Sequence, residues 1–175
     1  MGDARDERAW VRGAQAGSAS DLEALFKLHW PRAYRAAYLV CHDAAAAEDI
    51  AQEAFLAAVR ALDRFDRRRP FGPWLHRIVV NRAIDWSRAR TLRGEVELHE
   101  TAAAVQARPS GNSHSLASAL ASLSPEHRAV IVLRYLLDYT PGEIAKLLEL
   151  PRGTVNSRLR RGLDELGERV REEVG

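Results

Sequence analysis

Apolar residues recur every three or four positions along most of this chain, and no stretch holds the two-residue alternation of a half-buried strand. The clearest case runs from Thr140 to Leu166. Thr140 is placed to cap a helix, Pro141 suits its first position, and Glu143 can reach back to the Thr140 amide in a capping box. Ile144, Leu147 and Leu148 follow at helical spacing. Glu149-Leu150-Pro151 predicts a short turn. Pro151 then opens a second helix with an apolar stripe of Val155, Leu159, Leu163, Leu166 and Val170. This pattern predicts a helix-turn-helix.

The same periodicity divides the rest of the chain. Residues 1–18 are polar, end in Gly17-Ser18 and predict a flexible N-terminal arm. Residues 19–92 predict a helical domain. Within it, Ser20-Asp21-Leu22-Glu23 repeats the capping-box pattern and opens a helix carrying Leu25, Phe26 and Leu28. Pro31 is expected to break that helix, with another running from about Arg32 to Val40. Asp43 is set to cap the next helix, which carries Ile50, Ala54 and Leu56 to about Arg64. After a loop at Asp66–Gly72, the last helix of the domain starts near Pro73 and carries Trp74, Leu75, Ile78, Val79 and Trp86. Residues 93–114, with Gly94, Pro109, Gly111 and Asn112, predict a linker. Residues 115–175 predict the second domain, helical again from 115 to 172 and containing the helix-turn-helix. The expected fold is all-α: two small helical domains joined by a flexible linker.

Charge sharpens this division. The net charge of +2 hides strong segregation. Of 26 basic residues only Lys27 and Lys146 are lysines. The planar arginine fork suits phosphate and guanine, although a genome rich in G and C would produce the same bias. No Lys or Arg lies between Arg35 and Arg60, where Asp43, Glu48, Asp49 and Glu53 stand. From Arg60 to Arg93 ten arginines face only Asp63, Asp66 and Asp85. An acidic helix followed by a basic, aromatic-rich loop and helix points to two partners, a basic protein surface and a nucleic acid. In the last helix Arg152, Thr154, Asn156, Ser157, Arg158, Arg160 and Arg161 lie off the apolar stripe, and no acid occurs between Arg152 and Gly162. That composition suits a major groove.

Catalytic chemistry is not indicated. His29, His42, His76, His99, His114 and His127 show no paired ligand spacing, and the single Cys41 has neither a disulfide partner nor a second thiol for zinc. No metal, cofactor or catalytic residue is therefore expected. Gly-rich phosphate loops and nucleophile elbows are absent from the sequence. No apolar run approaches the ~20 residues of a membrane span. The charged N-terminus lacks a signal-peptide core, so a cytoplasmic protein without membrane insertion is expected.

Three segments resemble the extracytoplasmic-function (ECF) group of bacterial sigma factors. Asp49-Ile50-Ala51-Gln52-Glu53-Ala54-Phe55 is similar to the family's core-polymerase-binding helix, which implies that role for Asp49, Gln52, Glu53 and Phe55. The segment from Phe71-Gly72-Pro73-Trp74 to Asn81-Arg82-Ala83-Ile84-Asp85 is similar to the helix that recognises the −10 promoter element. Ser124-Pro125-Glu126-His127-Arg128 and the helix-turn-helix resemble the domain that reads the −35 element. The resemblance implies that Arg67, Arg68, Arg69, Phe71, Arg77, Asn81, Arg82, Trp86 and Arg88 meet the opened −10 strand. It implies that the residues off the stripe of the last helix, Arg152 to Arg161, meet −35 duplex. Core RNA polymerase and promoter DNA are the implied partners, and an anti-sigma factor is a further one that no motif here encodes. The chain departs from the family at Arg67-Arg68-Arg69, where an acidic or serine-rich loop is usual, so the base preferred there is left open. The rival reading is a stand-alone helix-turn-helix regulator. It leaves the basic, aromatic helix after an acidic one unexplained.

Overall fold

The computed structural model describes residues 4–94 and 118–174. Among these residues the regular structure is entirely helical: α1 Ala4–Gln15, α2 Ala19–Cys41, α3 Ala44–Ala61, α4 Phe71–Leu92, α5 Pro125–Tyr135, α6 Pro141–Leu148 and α7 Arg152–Val174. A 3₁₀ turn, Leu62–Arg64, follows α3. Of the expected linker only Arg93 and Gly94 fall within the described residues.

The expected flexible arm is a helix. Val11 on α1 is buried, and Gln15 Nε2 donates to the carbonyls of Leu62 and Phe65 at 2.8 and 3.1 Å. One buried anchor and a bidentate side-chain grip offset the ordering entropy that favours a loose arm. Gly17 then takes φ +90°, a left-handed geometry that reverses the chain before α2. Ser18, not Ser20, caps α2, accepting from the Asp21 amide at 3.3 Å.

Pro31 does not break α2, which runs unbroken from Ala19 to Cys41. Proline removes one backbone bond and clashes with the carbonyl four residues back, at a cost of ~3 kcal/mol inside a helix. Both Pro31 and Lys27 are exposed, so water can serve the freed carbonyl. Leu25 and His29 before Pro31, and Ala33, Ala36, Ala37 and Val40 after it, are all buried. Continuous packing on both sides outweighs the local defect.

Helices α1 to α4 pack around α2, with alanines of α2 and α3 allowing close approach. In the C-terminal domain α5 packs on α7, and α6 bridges them. The Thr140–Glu143 capping box forms in both directions, at 2.8 and 3.3 Å. Val155 and Leu159 are buried as expected, but Leu163 is 38% exposed. Its expected inward place belongs to Gly162, where an added Cβ would meet Ile131 Cδ1 at 2.9 Å.

The two domains share one apolar core. α5 lies against α2 and α4, and α6 lies against α4. Periodicity within each domain cannot show this contact.

Candidate nucleic-acid interface and docking groove

α3 turns its small residues inward. Ala47, Ile50, Ala51, Ala54 and Ala58 are buried, which leaves Glu48, Asp49, Gln52, Glu53, Leu56 and Val59 outward. Where α3 runs beside α2, the outer apolar side chains border a groove of about 460 Å³ lined by Leu22, Phe26, Gln52, Phe55, Leu56 and Val59. Phe26, Leu56 and Val59 are 40%, 52% and 39% exposed, a cluster that helical periodicity alone does not explain. Phe55 is buried and forms the groove's floor, its ring 4.9 Å from that of Phe26. Gln52 and Glu23 are the polar groups lining this apolar slot, while Asp49 and Glu53 are exposed on α3 beside it, Glu53 paired with Arg82 of α4. The acids of α3 are legible in the sequence, but the slot is not. Its only sequence signal is large apolar residues, Leu56 and Val59, on the side of α3 away from the alanines.

The arginine loop precedes α4. Asp66 Oδ1 accepts from the Arg68 amide at 3.0 Å, and the Arg69 amide donates to the Asp66 carbonyl at 2.9 Å. This tight turn leaves Arg67, Arg68 and Arg69 all exposed. Phe71, expected to stack on a base, is instead 3% exposed, with its ring against His29, Phe65 and Trp74. A ring enclosed on those sides presents no face to a base. Trp74 is half-buried, 4.5 Å from the Phe65 ring. Asn81 is half-buried, and Trp86 keeps one face under the Arg90 guanidinium at 5.3 Å.

The α4 arginines are engaged. Arg82 pairs with Glu53 across α3 and α4 at 2.7 Å. Arg77 pairs with Glu149 in the turn of the helix-turn-helix, and Arg88 with Glu126 on α5, each at 2.6 Å. Two of the arginines expected on the −10 strand are therefore held by acids of the other domain. Beside these ion pairs, His76 Nδ1 meets the Tyr139 hydroxyl at 2.7 Å. Burial and the charges of His29 and Arg32 push the His76 pKa down to about 4. Burial raises the Glu126 carboxyl, but the Arg88 hydrogen bond, its own helix amide and the charges of Arg88 and Arg158 together hold it below the usual range. Arg128 is buried beside Cys41 with Nε unpartnered, and desolvation pushes it down to about 10. Sequence assigned Glu126, Glu149 and His76 no part in a domain contact and did not pick out Tyr139, since these contacts cross from one domain to the other.

On α7 the exposed residues Arg152, Asn156 and Arg160 are spaced by four and share one face, flanked by exposed Arg161. Thr154, Ser157 and Arg158 are half-buried. No group of three or more metal-ligating side chains occurs among the described residues. No described helix is long and apolar enough to cross a membrane.

An acid-rimmed groove, a basic loop and helix, and a helix-turn-helix follow one another in this order along the chain. Residues 25–93 match the family model for Sigma-70 region 2, and residues 113–166 that for Sigma-70 region 4. The protein is thus of the sigma-70 class. The chain is 36% identical over 158 residues to the ECF RNA polymerase sigma factor SigL of Mycobacterium tuberculosis, covering 86% of this chain and 89% of SigL. It is 29% identical over 178 residues to the ECF sigma factor SigW of Bacillus subtilis, covering 93% and 95%. Among solved structures it is similar to CnrH in complex with the cytosolic domain of CnrY, at a TM-score of 0.71, 29% identity, and coverage of 95% and 96%. The chain belongs to the ECF RNA polymerase sigma factors.

Proposed function

We propose that this sigma factor divides its work among three surfaces of named residues. The groove between α2 and α3 receives an apolar ridge of core RNA polymerase, with Asp49, Gln52 and Glu53 meeting basic groups beside it. Arg67, Arg68, Arg69 and Asn81 hold the opened −10 strand, joined by Arg82 once Glu53 exchanges it for a basic group of the polymerase. Arg152, Asn156, Arg160 and Arg161 enter the −35 major groove, where Asn156 and Arg160 are the base readers and half-buried Arg158 contributes a phosphate contact. Thr154 and Ser157 lie at the edge of that face.

The observation that carries this reading is the basic α4 and its arginine loop standing next to an acid-rimmed apolar groove. A stand-alone regulator has no use for that pair. No covalent step is asked of the chain, which acts as a non-catalytic subunit in the cytoplasm. Opening requires groups that hold an unpaired strand more tightly than duplex does. Stacking and cation–π contacts contribute on the order of 1–3 kcal/mol per base, comparable with the few kcal/mol needed to unpair and unstack one nucleotide. With Phe71 enclosed and Trp86 half-buried under Arg90, the exposed guanidinium planes of the loop are the available stacking groups.

Arg77 and Arg88 join the −10 surface only after the domains separate, because Glu149 and Glu126 hold them in the closed arrangement. The likeness to CnrH, solved with CnrY bound, supports a small regulatory protein as a further partner, acting as an anti-sigma factor. Run-off transcription with purified core polymerase tests the whole reading. The chain is expected to confer initiation at a specific promoter. Tight, specific duplex binding without polymerase, and no initiation with it, would establish the regulator instead.

A further inference from the structure

Helix α1 precedes both matched regions, the first of which begins at residue 25. It nevertheless grips the arginine loop at both ends. Where the chain leaves the 3₁₀ turn, Gln15 Nε2 donates to the carbonyls of Leu62 and Phe65 at 2.8 and 3.1 Å. Where α4 begins, Glu7 accepts from His29 Nε2 at 2.9 Å and from the Gly72 amide. His29 is itself buried, so this second grip is anchored in the core.

Between the two grips the loop arches away and leaves a narrow cleft of about 60 Å³. Glu7, Arg8 and Val11 form its α1 side, Phe65, Arg67 and Arg69 its loop side, and Pro70 with the rim of the enclosed Phe71 ring closes its end. Val11 and Phe65 are buried at its base, whereas Arg8, Arg67 and Arg69 are exposed at its mouth. The Glu7 carboxylate is occupied by His29 and the Gly72 amide, so an apolar base with three guanidinium groups around the opening suits the edge of one unpaired nucleobase with its phosphate outside. A base pair is too wide for it.

We propose that α1 forms the second wall of the cleft in which the arginine loop holds an unpaired nucleotide. Arg8 contacts that nucleotide, and Gln15 and Glu7 are positioning residues that fix the loop's two ends. The inference rests on the −10 reading of the loop. It extends that surface to a helix outside the matched region.

The test uses the full chain and a single-stranded DNA pool randomised at ten consecutive positions. Bound and free fractions are sequenced for the parent, Arg8→Ala, Gln15→Ala, and the reference variant with Arg67→Ala and Arg69→Ala. Arg8 is exposed, so its variant is expected to melt with the parent. Loss of affinity by Arg8→Ala on the order of tenfold for the selected oligonucleotide is expected, together with flattened preference at one position. Gln15→Ala is expected to broaden preference at the same position, with duplex −35 selection unchanged in both. Parental affinity and preference in both α1 variants, beside loss in the reference variant, would overturn the inference and leave the −10 reading standing. A uniform loss across all positions in Arg8→Ala would reduce Arg8 to a general phosphate contact and also overturn it. An unaffected reference variant would overturn the loop reading itself.

Discussion

Phe71 and Asn81 share α4 but have opposite duties. Phe71 is enclosed by His29, Phe65 and Trp74, so Phe71→Ala leaves a cavity. We expect a loss of stability of about 3–5 kcal/mol, read as a lower thermal midpoint. Asn81→Ala, at a half-buried surface position, is expected to weaken single-stranded −10 binding more than duplex binding while melting close to the parent. A Phe71→Ala variant that melts normally yet binds single strands poorly would restore the stacking role. Gly162 and Leu163 make a similar pair. Alanine is the better helix former by about 1 kcal/mol, yet at Gly162 its methyl would press on Ile131 and His127. Gly162→Ala is therefore expected to destabilise by ~1–3 kcal/mol, and Leu163→Ala by under ~1 kcal/mol, since Leu163 is partly in solvent already. Chemical denaturation of the two variants decides the order.

For whole elements, α3 and α7 carry the partner surfaces. Leu56→Asp places a charge in the α2–α3 groove at a residue 52% exposed, so the fold is expected to survive while co-purification with core polymerase is lost. Asp49→Arg tests the acidic side of α3 without disturbing the Glu53–Arg82 pair. Unchanged polymerase affinity in both variants would remove the groove assignment. On α7, Asn156→Ala or Arg160→Ala is expected to shift which −35 sequence is preferred, by ~1–3 kcal/mol at one position. Arg161→Ala is expected to weaken all sequences alike and to reduce the salt dependence of binding. Affinities against a −35 library separate the two behaviours.

The whole molecule adds a constraint that no element shows alone, the closed packing of the two domains. Glu126→Gln with Glu149→Gln removes the acids that hold Arg88 and Arg77. Exposed ion pairs are worth about 0–1 kcal/mol each, so a several-fold gain in single-strand affinity is expected, accompanied by a longer distance between labels on α4 and α6. No change in either would show that the pairs do not restrain the domains. Acid should act in the same direction. His76 has a folded pKa of about 4 against an ordinary 6.5, so the unfolded chain takes up its proton first, and opening at Tyr139 relieves part of the burial. Stability of the folded chain is full above pH 6.5, falls as pH drops, and is lost through about pH 4, up to an order of 3 kcal/mol in all. The groups facing His76 are His29 and Arg32 on α2, Glu7 on α1 and Tyr139 across the interface. The carboxyls of Glu7 and Glu126, held low, add to the loss below the ordinary carboxylate range. The label distance should therefore increase between pH 6.5 and 4 in the parent and lose much of that dependence in His76→Gln.

Sequence alone determined what depends on near neighbours along the chain. The Thr140–Glu143 capping box, the Asp43 cap and the buried faces of Ile50, Leu75, Val79, Val155 and Leu159 follow from spacings of three and four residues, and all are present. The acidic and basic segments were equally legible, because charge needs no fold to be counted. Tertiary structure alone decided whatever balances a local cost against a distant contact. Pro31 stays inside α2 because buried side chains on both sides outweigh one missing hydrogen bond. α1 is ordered by carbonyls at residues 62 and 65, and Phe71 is drawn inward by rings from α2 and from the segment before α4. Leu163 yields its place to Gly162 because α5 approaches too closely for a side chain there. Glu126 and Glu149 read as ordinary helix-end acids until α4 is set against them. Their role is a property of an interface, and helical periodicity carries no information about which helix of one domain meets which helix of the other.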